Sequence, residues 1–392
     1  MDTKNITLLC KVVDNFGDIG FVYRLARALT ELDSSLRLRL VVSDIASFAA
    51  LCPLVDATKT EQTCYGWQIF DWNAENVCTR AFTADPPAII LECFQCGRPD
   101  WLDALLFDGD RADGQHMHAD KDDAVHIINI DYLTAEPYAD EFHLLKSGTR
   151  SARVKKINFM PGFTDKTGGL LLDRAFMQSR KTAYAQQTAY NAQQTVASGA
   201  DDRTFTATFF SYERDCAPVV QGLTAFQTRS GRAVRVLVAA GKSHAPFMQA
   251  WERAGKPFAV QALPFLPQEE WDALLCAADW NFVRGEDSMS RVCLAGVPFV
   301  WQAYPQDEDY HVVKLAALND RLRAYIPASI APAYDDYTRA YNTGKDTAAA
   351  LAHLLMHADT LHAGFLRFSD ALIANGNLAQ HILDWVAKLL LV

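Results

Sequence analysis

The stretch VDNFGDIG at residues 13–20 joins an apolar run, residues 5–13, to a segment with apolar residues at helical spacing, residues 21–32. The run is short and rich in Val, Ile and Leu, which predicts a buried strand. Residues 14–20 are polar and contain two glycines, which predicts a loop. A strand, a loop and a helix in this order open a βαβ unit, whose strands are parallel.

The same alternation continues along the chain. In the first half, further strand candidates are residues 36–42, 88–91 and 125–130. In the second half, helical segments separate five more strand candidates: residues 205–212, 233–240, 258–266, 280–283 and 298–304. The pattern after Asp307 is helical throughout. Alternating strands and helices predict an α/β fold in which helices cover both faces of parallel sheets.

The 392 residues suffice for two domains of ordinary size. We expect an N-terminal Rossmann-like domain at 1–175, a second one at 200–375, and a C-terminal helix at 376–392 that packs back on the first domain. In doubly wound sheets, ligands bind beyond the carboxyl ends of the strands. Two such domains facing each other therefore predict a binding cleft between them.

Composition excludes several classes of protein. The formal net charge is -10, which disfavours a general nucleic-acid binder, because phosphate neutralisation needs clustered Lys and Arg. No basic segment followed by a long apolar segment opens the chain, and no apolar run approaches the length of a membrane span. Nine cysteines are scattered through the chain, which favours reduced thiols over a disulfide framework. We therefore expect a cytoplasmic protein with no membrane partner.

The first candidate site is the loop at residues 14–20. Gly17 allows a tight backbone turn, and Asp14 and Asp18 lie where a ligand of the sheet would bind. Two neighbouring carboxylates can have different pKa values, which suits one of them to act as a general base. The alternative is that both aspartates serve only the turn and the N-cap of the following helix.

The second candidate site is the strand-to-helix turn at residues 281–288. A helix that starts near Asp287 or Ser288 points free backbone N–H groups at the binding edge, where they can hold a pyrophosphate. Arg284 adds a planar cation for phosphate oxygens. The alternative is a capped helix with Arg284 and Glu286 as a surface pair.

Aromatic residues near other strand ends can hold a nucleobase. Phe210 and Tyr212 follow the first strand of the second half, and Phe265 and Gln268 lie in a similar segment farther on. Aromatic faces can stack on a base, and a side-chain amide can hydrogen-bond its edge. Core packing is the alternative for the aromatic residues, and an exposed helix start is the alternative for Gln268.

Other motifs carry less weight. Neither G-x-G-x-x-G nor G-x-x-x-x-G-K-[ST] follows a strand, which disfavours nicotinamide cofactors and P-loop chemistry. Cys93 and Cys96 form a C-x-x-C without a second pair of ligands, so redox and zinc roles are disfavoured. An Asp-x-Asp and a His-x-His lie in the polar stretch 108–123, which has the composition of a solvated loop. We expect no bound metal and no cofactor.

Taken together, these residues resemble the protein-arginine rhamnosyltransferases that modify translation elongation factor P, the EarP family. The matching stretches follow one another in order along the chain: DNFGDIG at 14–20, FMPGFTDKTGG at 159–169, FSYE at 210–213, NFVRGEDS at 281–288 and VWQAYPQ at 300–306. The resemblance implies a GT-B fold, TDP-β-L-rhamnose as donor, an arginine of elongation factor P as acceptor, inversion at the anomeric carbon and no metal. The stretch 108–123 departs from the family pattern as an insertion of unassigned role.

Carried over residue by residue, the resemblance implies roles for the candidate site. Asp18 matches the proposed general base, Asp14 a second essential acid, and Glu286 a functional acid beside the donor. The nucleotide and diphosphate site would comprise Phe210, Tyr212, Phe265, Gln268, Arg284, Asp287 and Ser288. We also assign Asn15, Phe16 and Gly17 of the first loop to donor binding.

A protein acceptor requires a docking face on the N-terminal half. The segment that follows the strand candidate at 125–130 supplies Asp131, Tyr132 and Glu136, of which the two acids can grip an arginine or cap a helix. Two other functions remain open on the residues alone. One is a GT-B enzyme with a small-molecule acceptor, and the other is a nucleotide-sugar-binding protein without catalysis.

Overall fold

The computed structural model describes residues 5–13, 16–107, 124–196 and 203–389. Its chain divides into two compact units. The first unit comprises Met1–Leu133, Pro137–Asp173 and Asn375–Val392, and the second comprises Thr134–Glu136 and Arg174–Ala374. The chain therefore enters the second unit for three residues before it returns, a crossing that the sequence pattern does not predict.

The first unit contains an eight-stranded sheet in the order β3-β4-β2-β1-β5-β6-β8-β7. The strands are β1 Asn5–Cys10, β2 Arg37–Val42, β3 Glu61–Cys64, β4 Trp67–Asp71, β5 Ile89–Cys93, β6 Val125–Ile130, β7 Lys146–Ser147 and β8 Val154–Phe159. All neighbouring pairs are parallel except β3 with β4 and β7 with β8, so each antiparallel strand lies at an edge. The strands predicted at residues 5–13, 36–42, 88–91 and 125–130 are confirmed as β1, β2, β5 and β6.

Helices cover both faces of this sheet. They are α1 Phe16–Leu32, α2 Ile45–Leu51, α3 Glu75–Ala84, α4 Asp100–Phe107, α5 Tyr138–Phe142 and, from the C-terminus, α15 Leu378–Leu389. Leu8 belongs to the core on one face, and Leu9, the next residue of the same strand, belongs to the core on the other face. This alternation follows from the two-residue period of a strand, and it makes the central strands apolar on both sides.

The second unit contains a five-stranded parallel sheet in the order β11-β10-β9-β12-β13. Its strands are β9 Phe205–Phe209, β10 Val234–Val238, β11 Ala259–Ala262, β12 Trp280–Arg284 and β13 Phe299–Gln302. The described helices of this unit are α6 Arg174–Val196, α7 Ala217–Ser230, α8 His244–Arg253, α9 Gln268–Ala277, α10 Gly285–Ala295, α11 Tyr310–Arg323, α12 Ala331–Asn342, α13 Ala348–Leu355 and α14 Ala358–Ala374. All five predicted strands and the helical C-terminal part are confirmed.

The prediction that a loop extends to Gly20 is wrong, because α1 already begins at Phe16. Ile19 and Val22 are fully buried, and they share one face of the helix with residues farther along it. The gain from burying this face outweighs the modest helix propensity of the glycines. Asp18 consequently lies in the first turn of a helix and not in a loop.

The C-terminal segment is fastened to the first unit by hydrogen bonds and by packing. The Asn377 amide bonds the backbone of Leu172 in both directions, at 2.8 and 3.2 Å, and the Asn375 amide donates to the Phe163 carbonyl at 3.0 Å. Helix α15 then packs its apolar face on α1. Helix α1, which begins within the first candidate site, is thus supported by α15. The two helices are more than 340 positions apart in sequence, roughly the whole chain length.

His143 makes the stability of the first unit sensitive to acid. Its Nδ1 accepts a hydrogen bond from the Met160 amide at 3.1 Å. Burial, with a smaller contribution from His381, lowers the pKa of His143 from 6.5 to about 4. Since the unfolded chain binds this proton more readily than the folded one, stability falls as pH decreases from about 6.5 to about 4.

We expect His143→Asn to weaken this dependence, because the Asn side-chain oxygen replaces Nδ1 as acceptor and does not titrate. The melting temperature of the variant should change less between pH 6.5 and pH 4 than that of the wild type. Thermal unfolding followed by circular dichroism measures both slopes. Equal slopes would show that His143 does not contribute to the acid sensitivity.

Candidate active site

Several of the predicted site residues follow strands that lie at, or next to, a reversal of the strand order. In the first unit, β1 lies between β2 and β5, and in the second unit, β9 lies between β10 and β12. The loops on either side of such a point diverge to opposite faces and leave a crevice at the carboxyl edge of the sheet. Asp18 follows β1, Phe210 and Tyr212 follow β9, and Arg284 ends β12.

Asp18 is fixed in the first turn of α1. Its side chain is only 4% exposed, and Oδ2 accepts a hydrogen bond from the Val13 amide at 2.8 Å. The positive end of the helix dipole favours a carboxylate at this position. The hydrogen bond demonstrates the turn-forming role that was the alternative for this residue. A carboxylate can accept several hydrogen bonds, so this structural role does not prevent Asp18 from also taking part in proton transfer.

The other residues of the first loop are described only in part. Phe16 and Gly17 begin α1 and are exposed, whereas Asp14 and Asn15 lie outside the described residues. Burial, with a smaller contribution from the negative charge of Asp18, raises the pKa of the neighbouring Cys10 well above its usual value. That thiol is therefore protonated at neutral pH.

The C-x-x-C sequence forms a tight turn after β5. The Cys96 amide donates to the Cys93 carbonyl at 3.2 Å, and both intervening residues, Phe94 and Gln95, have positive φ. Burial raises the pKa of Cys93 well above its usual value and that of Cys96 to about 11. Since thiolates are the reactive form of cysteine, these values argue against redox chemistry here.

Two of the three predicted acceptor residues lie beside this turn. Asp131 and Tyr132 follow β6, and Gln95 Nε2 donates to Asp131 Oδ2 at 2.7 Å. The rings of Phe94 and Tyr132 stack with centroids 4.6 Å apart and an interplanar angle of 22°. The first unit thus presents a carboxylate and an aromatic face side by side.

The third predicted acceptor residue, Glu136, belongs to the second unit and not to the N-terminal half, where the sequence analysis puts it. Its Oε1 accepts from the Tyr310 hydroxyl at 2.8 Å, and its Oε2 accepts from the Thr134 hydroxyl at 3.0 Å. Arg321 also donates to the Ala135 carbonyl at 3.1 Å. The bonds from Tyr310 and Arg321 of α11 hold the three-residue segment in the second unit.

In the second unit, Arg284 lies against two aromatic rings. Its guanidinium carbon is 4.6 Å from the ring centre of Phe210 and 4.7 Å from that of Tyr212. Cation–π attraction at this distance holds a planar guanidinium in a fixed orientation. The structure therefore brings together three of the residues predicted for the nucleotide and diphosphate site.

Further aromatic residues surround this group. The Trp271 ring lies edge-on to Phe210 at 5.6 Å, and the Tyr304 ring lies edge-on to Tyr212 at 5.4 Å. Gln268 begins α9 one turn before Trp271 and is buried, whereas Phe265 on the preceding segment is 52% exposed. The group thus has the aromatic surface and the amide that a nucleobase site needs.

The predicted anion site is formed by the start of α10. Gly285 has φ of +70°, which L side chains rarely adopt, and its carbonyl accepts a 2.9 Å hydrogen bond from Trp301 Nε1. The helix begins at Gly285, slightly before the predicted start near Asp287 or Ser288, so both residues lie in its first turn. A Cβ on residue 285 would lie 3.5 Å from the Tyr212 hydroxyl, an ordinary contact distance, so it is the positive φ and not lack of space that favours glycine here.

A buried polar layer supports the aromatic group from behind. Gln302 Oε1 accepts from the Tyr212 amide at 2.9 Å and from the Ser211 hydroxyl, and the Ser211 amide donates to the Ser243 hydroxyl at 3.1 Å. These contacts set the backbone of the segment that carries Phe210 and Tyr212. Glu286, by contrast, lies 3.7 Å from Lys314 of α11, an ion pair that joins α10 to α11.

Comparisons with known proteins decide the family. The model of the family described as elongation factor P (EF-P) rhamnosyltransferase EarP matches residues 6–387. The chain belongs to this family. It is accordingly a glycosyltransferase, and its relatives are protein-arginine rhamnosyltransferases: that of Pseudomonas putida is 32% identical over 88% of either chain, and that of Shewanella oneidensis is 31% identical over 87% of this chain and 86% of its own.

Solved structures of similar proteins show the fold of this member of the rhamnosyltransferase family. An EarP structure, described as the basis for EarP-mediated arginine glycosylation of translation elongation factor EF-P, superposes with a TM-score of 0.57 and 23% identity over 98% of this chain and 99% of its own. MurG of Acinetobacter baumannii superposes with a TM-score of 0.53 and 13% identity over 98% and 99%. The expected GT-B fold with two Rossmann-like domains is confirmed.

Neither a metal-binding cluster nor a membrane-spanning helix is found among the described residues of this glycosyltransferase. No group of three or more His, Cys, Asp and Glu side chains there is arranged to hold a metal ion. Within the same residues, no helix has both the length and the apolar character needed to span a bilayer. The Asp-x-Asp and His-x-His at 108–123 lie outside the described part of the chain.

Sequence reasoning missed several residues of this site. Trp271, Lys314, Phe94 and Gln95 reach their partners only through the tertiary fold, since each partner lies at least 28 positions away, on the order of a whole βαβ unit. Trp271 had one available signal, since it lies three residues after Gln268 on the same helix face. Phe94 and Gln95 were overlooked because they lie inside the C-x-x-C pattern, in which only the two cysteines were considered.

We expect Arg284→Lys to weaken the binding of a nucleoside diphosphate. Lysine keeps the positive charge and loses the planar group that stacks on Phe210 and Tyr212, so Kd for TDP should rise about tenfold. Isothermal titration calorimetry with TDP and UDP measures the change. Arg253→Lys, at an exposed position of α8, is the matched control and should leave Kd unchanged. An unchanged Kd for Arg284→Lys would remove Arg284 from the site.

Proposed function

We propose that the enzyme transfers L-rhamnose from TDP-β-L-rhamnose to one arginine of translation elongation factor P, with inversion at the anomeric carbon. The observation that carries the proposal is the family match over residues 6–387, which spans both groups of candidate residues. We further propose that it acts in the cytoplasm, for which the nine free thiols argue.

The second unit would hold the donor. Arg284 and the backbone N–H groups at the start of α10 are positive, and they would hold the diphosphate next to the aromatic group of Phe210, Tyr212 and Trp271. Negative charge grows on the departing TDP as the bond to the sugar breaks. Fixed positive groups at this position can stabilise that charge without a metal ion.

The acceptor presents a chemical difficulty. A free guanidinium has a pKa of about 12.5–13.8, so its nitrogens are poor nucleophiles at neutral pH. The site must hold it against carboxylates, exclude water and remove a proton as the new bond forms. The guanidinium nitrogen then bonds to the anomeric carbon, the bond from that carbon to the TDP oxygen breaks, and the proton passes to a carboxylate.

Asp18 is the proposed base for this proton. Its hydrogen bond to the Val13 amide and its place at the start of α1 hold the carboxylate in one orientation. Asp14 would orient the guanidinium or balance its charge, and Asn15, Phe16 and Gly17 would contact the donor. Glu286 at the start of α10 would act beside the donor, with Lys314 holding its carboxylate.

Transfer itself can be tested by mass spectrometry. The enzyme is incubated with TDP-β-L-rhamnose and elongation factor P, and the intact acceptor is weighed and then fragmented. We expect one added rhamnosyl group on a single arginine, and no addition when that arginine is replaced by lysine. An acceptor of unchanged mass would refute the proposed function.

We expect Asp18→Asn to keep the fold and TDP binding and to lose transfer by about 10²–10⁴-fold, because the amide cannot take the proton. Single-turnover transfer and calorimetry with TDP give the two readouts. Asp44→Asn is the matched control, since Asp44 caps α2 in the same unit by accepting from the Ser47 amide at 3.0 Å. It should lower stability slightly and leave transfer intact, and normal turnover by Asp18→Asn would exclude Asp18 as the base.

The two alternatives give other outcomes in the same assays. A GT-B enzyme with a small-molecule acceptor would consume the nucleotide sugar without changing the mass of elongation factor P. A nucleotide-sugar-binding protein without catalysis would bind TDP and would be unaffected in function by the loss of Asp14 or Asp18. Neither alternative accounts for the family match as simply as the proposed transfer.

A further inference from the structure

The turn at residues 93–96 has an unfavourable backbone. Phe94 and Gln95 have φ of +60° and +52°, a pair of values that turns usually fill with Asn and Gly. L side chains with a Cβ pay a conformational penalty in this region, and such penalties persist only where the surroundings enforce them. A glycine would remove the penalty at its own position. The sequence nevertheless has two residues with side chains in this unfavourable conformation, at the carboxyl edge of the sheet.

Glu92 enforces the conformation from one side. Its side chain is 2% exposed, and Oε1 accepts from the Gly97 amide at 3.1 Å, just beyond the turn. Oε2 accepts from Arg98 Nη1 at 2.8 Å and from Lys156 Nζ at 3.1 Å. Because a buried carboxylate needs such partners, this network ties the residues after the turn to β5 and β8.

The neighbouring strand enforces it from the other side. The Phe94 amide donates to the Ile130 carbonyl at 2.6 Å, which continues the pairing of β5 with β6. The Phe94 ring then stacks on Tyr132 at 4.6 Å and lies 5.0 Å from Phe21 of α1. Phe21 lies three residues after Asp18 on α1. The contacting rings of Phe21 and Phe94 therefore link the helix that carries the proposed base to Tyr132.

This arrangement orients the half-buried carboxylate of Asp131. Asp131 Oδ2 accepts from Gln95 Nε2 at 2.7 Å, and Oδ1 accepts from the Tyr132 amide at 2.7 Å. The Tyr132 ring beside it is 39% exposed. A guanidinium is recognised best by a carboxylate in its plane together with an aromatic ring that it can stack on.

We propose that Gln95 is a positioning residue for the acceptor arginine: the 93–96 turn holds the Asp131 carboxylate and the Tyr132 ring ready to bind the incoming guanidinium. The proposal deepens the proposed function and rests on it. Fixing a carboxylate in advance reduces the ordering cost of binding, so Gln95 acts on acceptor affinity and not on the bond-making step.

The choice of an amide fits this role. Glutamine donates a hydrogen bond to Asp131 and leaves the negative charge in place. Lysine or arginine at position 95 would neutralise that charge and compete with the acceptor guanidinium for the same oxygens. A residue needed only to stabilise the turn would have no reason to be a neutral donor, and glycine would serve better.

Two substitutions at one position separate the side-chain contact from the backbone penalty. Gln95→Ala loses the amide and keeps the unfavourable φ, whereas Gln95→Gly loses the amide and relieves the backbone. We expect both to raise KM for elongation factor P about tenfold, with kcat within about twofold and Kd for TDP unchanged. The melting temperature of Gln95→Gly should exceed that of Gln95→Ala by about 2–4 °C.

Lys256→Gly is the matched control, because Lys256 is an exposed non-glycine residue with φ of +57° in the second unit. It should raise the melting temperature and leave KM for elongation factor P unchanged. If KM follows the melting temperature across the three variants, or is unchanged in both Gln95 variants, Gln95 has no positioning role. If the wild-type enzyme does not modify elongation factor P at all, the proposed function fails, and this inference fails with it.

Discussion

Parallel pairing of the central strands is the constraint on which the candidate site depends. A parallel sheet directs the carboxyl ends of all its strands to one edge, and helices on both faces leave that edge as the place where loops collect. In the first unit this edge receives Asp18 after β1, Gln95 after β5 and Asp131 after β6. In the second unit it receives Tyr212 after β9 and Arg284 at the end of β12.

The two units hold their charged side chains in place by different kinds of contact. In the first unit, Glu92 is buried among cations and fixes a loop, whereas the half-buried carboxylate of Asp131 is held by a neutral amide. The second unit places the cation Arg284 against aromatic faces, which orient it without cancelling its charge. Each arrangement leaves a net charge available to a ligand of opposite sign.

Rigidity at both edges comes from residues outside the proposed contacts. Gln302 accepts two hydrogen bonds from the segment that carries Tyr212, and Asn377 fastens the C-terminal segment that supports α1. Positioning of this kind matters for group transfer, since small displacements of a reacting group lower rates strongly. The expected domains differ from the observed units mainly at Thr134–Glu136, a segment that hydrogen bonds from Tyr310 and Arg321 hold in the second unit.

Periodicity and motif spacing were sufficient to predict the alternation of strands and helices, the parallel sheets, and the positions of Asp18 and Arg284 at the carboxyl ends of strands. These features are local, because each depends on the period of burial over a few neighbouring residues. The start of α1 was missed because burial of Ile19 overrides the local preference of Gly17 and Gly20 for a loop.

Contacts between distant residues were decided by the tertiary structure alone. Trp271 beside Phe210, Gln95 beside Asp131, Glu136 in the second unit and α15 on α1 all join segments whose separation in sequence carries no periodic signal. The sequence by itself determined which residue types stand at the ends of the strands. Only the packing of the folded chain determined which of them touch, because hydrogen bonds and ring contacts act over a few ångströms and not along the chain.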